Sequence, residues 1–539
     1  MREERHVGRS LPQDPPFGTT RRPTRQPVTI EVLPGSEDRV GRRLDLAVVA
    51  LSLLLGWLYR DRVVDDGFIY ARYAENILQG HGFVFNRGDP VNASTSILWT
   101  FVVAALMLLM PGDRALIIGH VIVVALLGAA ISRLLRHQPP WLRTLLVIAS
   151  VSNVMVWKSV GLDAPLAMLL CAWVCASWER QDRPERTGFL IGMAVLARPD
   201  AVLMGGIAWM ADLIRSRRPS IRMILAAALP VVPWLAYATW KFGSPVPSTL
   251  AAKTAQSRLS WWSNHGSFLS AAMRDVPLSW VLLVVGFAGI VYGWRNRSIR
   301  PQPVHLLVAY GTMQALAYTA IGAPVGYSWY FVPLAFALLL WGGLGLEQLA
   351  AAWEPPFTSK SRFWQSLPPA RVAWCFAILG SFEVVWAAAS FAWTHPFYRC
   401  SAVYRSAAKM VAGLEAKDRT LAATEIGYLG YYSQVRIVDI HGLIHPDSLK
   451  EIRAGHNWWW LATNPDLVLV HEPPWFGEPG YAKFDPAAER RFRDGYELVA
   501  TFGGRGAGKV KGAGAAVVQL WARRPSAWPA SIPKAEAAP

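Results

Sequence analysis

The sequence predicts a mainly α-helical protein that crosses a membrane many times and carries a C-terminal α/β domain. Three observations predict it. Apolar segments of membrane length recur between residues 44 and 392. The short loops between them are rich in Arg, and beyond residue 392 the pattern changes to brief β-like runs between polar turns. The chain of 539 residues is 53% hydrophobic with 26 Trp, and its mean hydropathy is +0.24. Lipid offers a polypeptide backbone no partners, so only helices that satisfy their own hydrogen bonds can cross it in such a chain.

Residues 1–43 are rich in Arg and Pro and have no apolar period, which predicts a disordered, basic cytosolic tail. The apolar run near 44–59 is the first span and its own insertion signal. Further runs lie at 115–132, 221–240, 277–293, 304–321, 328–350 and 371–392. Each is near the ~20 residues that hydrocarbon requires, and with the interrupted runs between them the count is about eleven spans. The net charge of +17 does not indicate nucleic acid, because the basic residues sit in the tail and in loops at 133–137, 178–186, 213–222 and 294–300. That is the positive-inside distribution of a plasma-membrane protein with a cytosolic N-terminus. It requires 97–132 to cross once despite its break at "PGDR", and 187–213 to dip and return at "ARPD". The loop 60–96, "GLDAP" (161–165), "ARPD" (197–200), the segment 241–276 and everything after 392 then gather on the outer side.

The membrane domain is predicted over 44–392 and the extracytoplasmic α/β domain over 393–524, with a flexible tail at 525–539. In the α/β domain "TLAATEIGYLGYY" reads as a strand and then a helix. "VRIVDI" and "PDLVLVH" read as strands, and "YELVATF" and "AAVVQLWARR" as a strand pair. "GGRGAGKV" (503–510) fits a phosphate-loop spacing, but Val510 stands where a magnesium-binding hydroxyl belongs and no helix follows, so it reads as a glycine hairpin. Of the four cysteines, Cys171, Cys175 and Cys375 lie in apolar helices and Cys400 stands alone, which builds neither a disulfide framework nor a metal site.

The chemistry-bearing stretch is "DDGFIYARYAENILQGHGFVFNRGDPVNASTSILWT", opened by Asp65 and Asp66. An acidic pair is often only a solvated turn. Here it stands seven residues past the end of the first span and leads into a helix whose Phe68, Tyr70, Tyr73 and Ile77 form an apolar face suited to the bilayer interface. This would hold two carboxylates at headgroup height. Arg72 and Asn76 follow on the same helix as candidate substrate contacts, where plain surface polarity would explain them equally.

The stretch resembles the first outer loop of GT-C glycosyltransferases, and more narrowly is similar to that of the terminal β-(1→2)-arabinofuranosyltransferases of mycolate-bearing bacteria. The acidic pair, the following helix, the "GHGFVFNRG" turn and the "NASTSILWT" re-entry carry the likeness. "GLDAPL" (161–166), "ARPD", "GSPVPSTLAAKT" (243–254) and "IGYLGYYSQVRIVDIHGL" (426–443) agree with related chains. The third island usually carries Pro-Asn-Thr and here reads Pro247-Ser248-Thr249. The resemblance implies a GT-C fold and transfer of arabinofuranose from a polyprenyl-phosphate donor to a cell-wall arabinan on the outer side. Asp65 and Asp66 would be the catalytic carboxylates. Lys253 and Arg198 would stabilise the departing phosphate, with Asp200 and His441 as further substrate contacts. Each also has a plainer reading: Arg198 and Asp200 as an ion pair closing a helix break, Lys253 as a structural cation, and His441 as a domain-junction residue. The resemblance also implies that configuration is retained, which two aspartates could serve in two steps. A divalent cation is compatible with the acidic pair, but no His/Asp/Glu cluster demands one. The competing readings are transfer of mannose or galactofuranose, a lipid or sugar transporter or flippase, and an envelope scaffold. A transporter would favour internal repeats and ionisable groups at the midplane; neither is evident.

Overall fold

The computed structural model describes residues 36–180, 183–257, 267–297, 302–352, 400–414, 419–503 and 517–524, with a few positions between 378 and 389. The expected tail before Ser36, nearly all of the expected 371–392 span with its Cys375, the glycine hairpin past Gly503 and the 525–539 tail lie outside the described residues.

Helix α1 (Ser36–Leu58) takes in the Arg-rich approach to the first apolar run and starts ahead of it. A three-residue link leads from Arg62 to α2 (Asp65–Leu78), and α3 (Ile97–Met107) and α4 (Gly112–Leu134) follow, separated by the "PGDR" break. After α5 (Pro140–Val151) and the short α6 (Val154–Trp157), the "GLDAP" break gives way to α7 (Ala164–Arg180). Helix α8 (Pro184–Ala197) ends at the "ARPD" break, and α9 (Val202–Ser216) turns back from it. Helix α10 (Ile221–Phe242) leads to α11 (Ser248–Ser257). Four more are α12 (Phe268–Asp275), α13 (Ser279–Arg295), α14 (Val304–Ala320) and α15 (Val332–Ala352).

Against the expected eleven or so spans, four described helices are long and apolar enough to cross a membrane alone, or five if α12 and α13, bent by 96°, count as one. Helix α1 is as long, at 23 residues, but charged through its first half, and the remaining apolar helices of the bundle are shorter, with breaks at the polar motifs singled out in the sequence. Helix α10 is the least covered of the long helices, exposing Ile224, Leu225, Leu229 and Val232. That is the surface a bilayer would cover.

The C-terminal part opens with α16 (Cys400–Ala412) and builds a sheet from β1 (Thr420–Ala423), β2 (Arg436–Asp439), β3 (Leu467–Glu472), β4 (Tyr496–Phe502) and β5 (Val517–Arg523). The order is β2-β1-β3-β5-β4. Strands β1, β2 and β3 run parallel, with α17 (Ile426–Ser433) crossing between β1 and β2, while β5 pairs antiparallel with β3 and β4. Strand residues alternate between faces. Leu421, Ile437, Leu469 and Leu520 join the same core as the membrane helices. Ala422, Val438, Val468 and Val470 face a separate core closed by Trp460 and Phe492. The domain is thus fused to the helical bundle through one sheet face.

Helix α2 corrects one expectation. Its apolar face does not lie open to a bilayer interface: Phe68 and Tyr73 are fully buried. The Phe68 ring packs 4.4 Å from Tyr428 and 5.3 Å from Tyr432 of α17. The "IGYLGYY" tyrosines supply the apolar cover that lipid was expected to give, and the first loop and α4 pair with the hydroxyls of Tyr428 and Tyr431.

Candidate functional site

A cavity of about 280 Å³ lies where four of the polar elements meet. Asp66 comes from the start of α2, Asp163 from "GLDAP", Arg198 and Asp200 from "ARPD", and Thr249 and Lys253 from α11. A fifth wall, the 321–330 loop with Trp329 and Tyr330, was not singled out in the sequence. Val246, Leu250 and Ile321 give its mouth an exposed apolar lip.

The acidic pair stands in the first turn of α2, where unpaired N–H groups and the helix dipole favour negative charge. The backbone N–H of Val64 donates to the Val160 carbonyl (3.1 Å), and Trp99 Nε1 to Gly161 O (2.8 Å), fixing the loop against the "GLDAP" break. Asp66 Oδ2 lies 3.8 Å from Lys253 Nζ, and its side chain keeps 28% of its exposure. Burial raises the Asp66 pKa, and Lys253 only partly offsets this. Lys253 Nζ donates to the Tyr330 hydroxyl (2.9 Å) and sits 4.4 Å from the centre of the Tyr327 ring.

Arg198 is engaged from two sides. Its Nε and Nη2 donate to Asp200 (3.1 and 2.9 Å), and its Nη1 lies 3.6 Å from Asp163 Oδ2. Tyr318 OH donates to Asp200 Oδ2 at 2.8 Å. A planar guanidinium held in a fork is the geometry in which Arg binds carboxylates best. With both neighbours charged, Arg198 leaves no net positive charge for a phosphate; Lys253 is the cavity cation with a single carboxylate beside it. Thr249 Oγ1 is buried on the cavity wall without a hydrogen-bond partner, a polar group open to a ligand.

Four of the expected residues, Asp66, Arg198, Asp200 and Lys253, therefore share one cavity, and four do not reach it. Asp65 turns the other way: its Oδ2 accepts from Gly427 N–H (2.8 Å) and its Oδ1 from Tyr428 N–H (2.7 Å). A side chain at position 427 would overlap the Asp65 carbonyl, which is why glycine stands there. Arg72 is buried, donating to Phe85 O (3.2 Å) and to the Gln434 side chain. Asn76 Nδ2 donates to Val84 O and Phe85 O, both at 2.9 Å. His441 Nε2 lies 3.1 Å from Phe476 O, and its N–H donates to Asp439. These three hold turns together.

Sequence reasoning missed Asp163 as a cavity residue, although it quoted its motif, and it missed Tyr318 and Tyr330. An acid just before an Ala-Pro helix start, and the aromatic run "YSWYF", were the available signals. Among the described residues no group of three or more His, Cys, Asp or Glu is arranged to hold a metal ion. Cys171 and Cys175 are buried thiols.

Residues 398–521 match a family described as a domain of unknown function (DUF8728). The chain is 29% identical to the terminal β-(1→2)-arabinofuranosyltransferase of Mycobacterium tuberculosis over 54% of its length and 54% of that protein's. It is 28% identical to the protein of the same name from Corynebacterium glutamicum, over 45% of its length and 40% of that protein's. The chain thus spans about half the length of the curated relatives it matches. Among solved structures, its fold is similar to that of ArnT from Cupriavidus metallidurans bound to undecaprenyl phosphate. That match has a TM-score of 0.52 at 13% identity and covers 88% of this chain and 97% of ArnT.

Proposed function

We propose that this chain, whose curated homologues are terminal arabinofuranosyltransferases and whose fold is similar to that of ArnT, is a membrane glycosyltransferase. It moves arabinofuranose from a polyprenyl-phosphate donor to a cell-wall arabinan on the outer side of the plasma membrane. The observation that carries the reading is the cavity in which Asp66 and Lys253 face each other beside an apolar lip. A lipid-linked sugar phosphate needs those three features: apolar cover for the prenyl chain, a cation for the phosphate, and a carboxylate at the reacting sugar. In this reading residues 44–392 are the membrane domain, and 393–524 are an outer domain packed on the first loop.

The acceptor hydroxyl attacks the anomeric carbon, and the bond from that carbon to the phosphate oxygen breaks. Asp66 accepts the hydroxyl proton. Lys253, oriented by Tyr330, stabilises the charge that develops on the leaving phosphate. The Asp163–Arg198–Asp200 cluster presents carboxylate oxygens to sugar hydroxyls. Asp65 is held by backbone N–H groups, so a two-step route using both aspartates on one sugar loses its second member. Retention would then proceed on one face, with the phosphate leaving from the side the acceptor enters.

Purified protein incubated with a synthetic arabinan and a panel of lipid-linked sugars tests this reading. Terminal β-(1→2)-arabinofuranose in the product is the expected result. Transfer of mannose or galactofuranose instead would change the sugar. Movement of lipid-linked sugar across vesicles without any transfer would replace the enzyme with a transporter.

A further inference from the structure

We infer, building on the lipid-phosphate donor proposed above, that the first turn of α11 cradles the donor phosphate. There the Thr249 hydroxyl donates to a phosphate oxygen beside the Lys253 ammonium, which makes Thr249 a donor-binding residue.

Thr249 lines the cavity, is 4% exposed, and its Oγ1 has no hydrogen-bond partner. Such a hydroxyl is rare in a folded protein, because burial forfeits its bonds to water and here gains none. Thr254, the other threonine on the same wall, donates its hydroxyl to Leu250 O at 2.8 Å. Thr249 keeps its own for something that enters the cavity.

The surroundings select an anion. Val246, Pro247, Thr249 and Leu250 carry the start of α11 along the cavity, and a helix start turns N–H groups and the positive end of its dipole towards whatever lies there. Thr249 and Lys253, four positions apart, share one face of that helix. The other charged walls each bring an acid: Asp66 from α2, Asp163 from "GLDAP" and Asp200 from "ARPD". Helix α11, "STLAAKTAQS", brings Lys253 and no Asp or Glu. A phosphate meets least repulsion against that wall. Leu250, exposed at the lip, follows Thr249 directly, so a prenyl chain leaving over the lip starts from beside the hydroxyl.

The turn is also held in place. Ser248 N–H donates to Asn92 O (2.8 Å) in the first loop, and Ser248 Oγ to Leu443 O (2.7 Å) in the C-terminal domain. Thr249 is thus presented on a helix start tethered from two sides. As the sugar departs, the phosphate passes from about one negative charge towards two, and a hydroxyl that donates to it binds more strongly as that charge grows.

The test uses the full chain in lipid nanodiscs, with undecaprenyl phosphate, undecaprenol and inorganic phosphate as probes. Undecaprenyl phosphate should bind wild type and raise its melting temperature more than undecaprenol does. Thr249→Val keeps the shape and removes the hydroxyl. It should weaken undecaprenyl phosphate binding by roughly 10- to 100-fold, the range for a hydrogen bond to a charged group, and leave undecaprenol binding as it was. Thr249→Ser should restore most of the phosphate affinity. Without ligand, Thr249→Val should melt no lower than wild type, because the buried hydroxyl has no partner to lose. Equal affinity of wild type and Thr249→Val for undecaprenyl phosphate overturns the role of Thr249 and leaves the donor reading standing. A wild type that does not distinguish undecaprenyl phosphate from undecaprenol overturns both. An unliganded Thr249→Val that melts well below wild type, with undecaprenol weakened as much as its phosphate, makes the hydroxyl a packing group and overturns the cradle. Inorganic phosphate that protects wild type as well as the lipid does would give the turn to a free anion and overturn it as a lipid-donor site.

Discussion

Asp65 and Asp66 are adjacent in sequence, yet Asp65 grips the backbone of Gly427 and Tyr428 while Asp66 stands 3.8 Å from Lys253 in the cavity. Neighbouring positions in one helical turn thus take different partners, and the proposed function makes Asp66 the reacting carboxylate. Mutation should separate them too.

Asp66→Asn should reduce transfer by at least about 100-fold, the usual contribution of a general base, with the melting temperature unchanged. Asp65→Ala should instead destabilise the protein by about 0.5–2 kcal/mol, as for loss of a helix cap, and loosen the C-terminal domain. Kinetics and thermal unfolding on the same preparations check both. Full activity in Asp66→Asn would remove the central support for the enzyme reading.

Lys253→Met should weaken donor use, through KM or kcat, by about 2–5 kcal/mol, the range for removing one partner of a desolvated charge pair, while acceptor KM stays the same. Lys253 also lowers the raised pKa of Asp66. Because the carboxylate is the active form, transfer rises with pH through that pKa. The acid limb of the profile should move to higher pH in Lys253→Met.

Arg198 is buried between Asp163 and Asp200. Arg198→Met leaves two carboxylates together without their counter-charge, a loss of about 3–5 kcal/mol by analogy with broken buried pairs. Denaturant unfolding should show it directly. A small effect would mean that water or Lys253 reaches the pair.

Cysteines placed at Asp89 and Lys450 in a cysteine-free background should react with an impermeant thiol reagent in intact cells, and one at Arg297 should not. Labelling at Arg297 alone would invert the topology and with it the case for a lipid-phosphate donor.

The positions of the helix breaks were legible in the sequence, because "PGDR", "GLDAP" and "ARPD" combine helix breakers with charge inside apolar runs. The five strands were legible as short apolar runs between polar turns. The meeting of Asp66, Arg198, Asp200 and Lys253 followed from placing polar motifs on one side. What stayed hidden depended on long-range partners. Nothing local distinguishes Asp65 from Asp66 until Gly427 and Tyr428 claim one of them. Arg72 and Asn76 look like surface residues until the 83–86 turn folds over them. Tyr330 reads as an interface aromatic until Lys253 arrives at its hydroxyl.

The contact between Asp65 and the start of α17 also imposes an order in time. Its two halves are separated by 362 residues, which a ribosome takes roughly 20–70 s to add. During that interval the early helices can already sit in the bilayer, while the acidic turn still lacks the backbone donors that anchor it. Asn86 waits for Ile437, and Arg72 for Gln434, over the same interval. A nascent or prematurely terminated chain would therefore be membrane-embedded yet unable to hold Asp66 in register. Residues 426–437 are added late relative to the first loop, so a copy that stops before them also lacks the grip on the acidic turn.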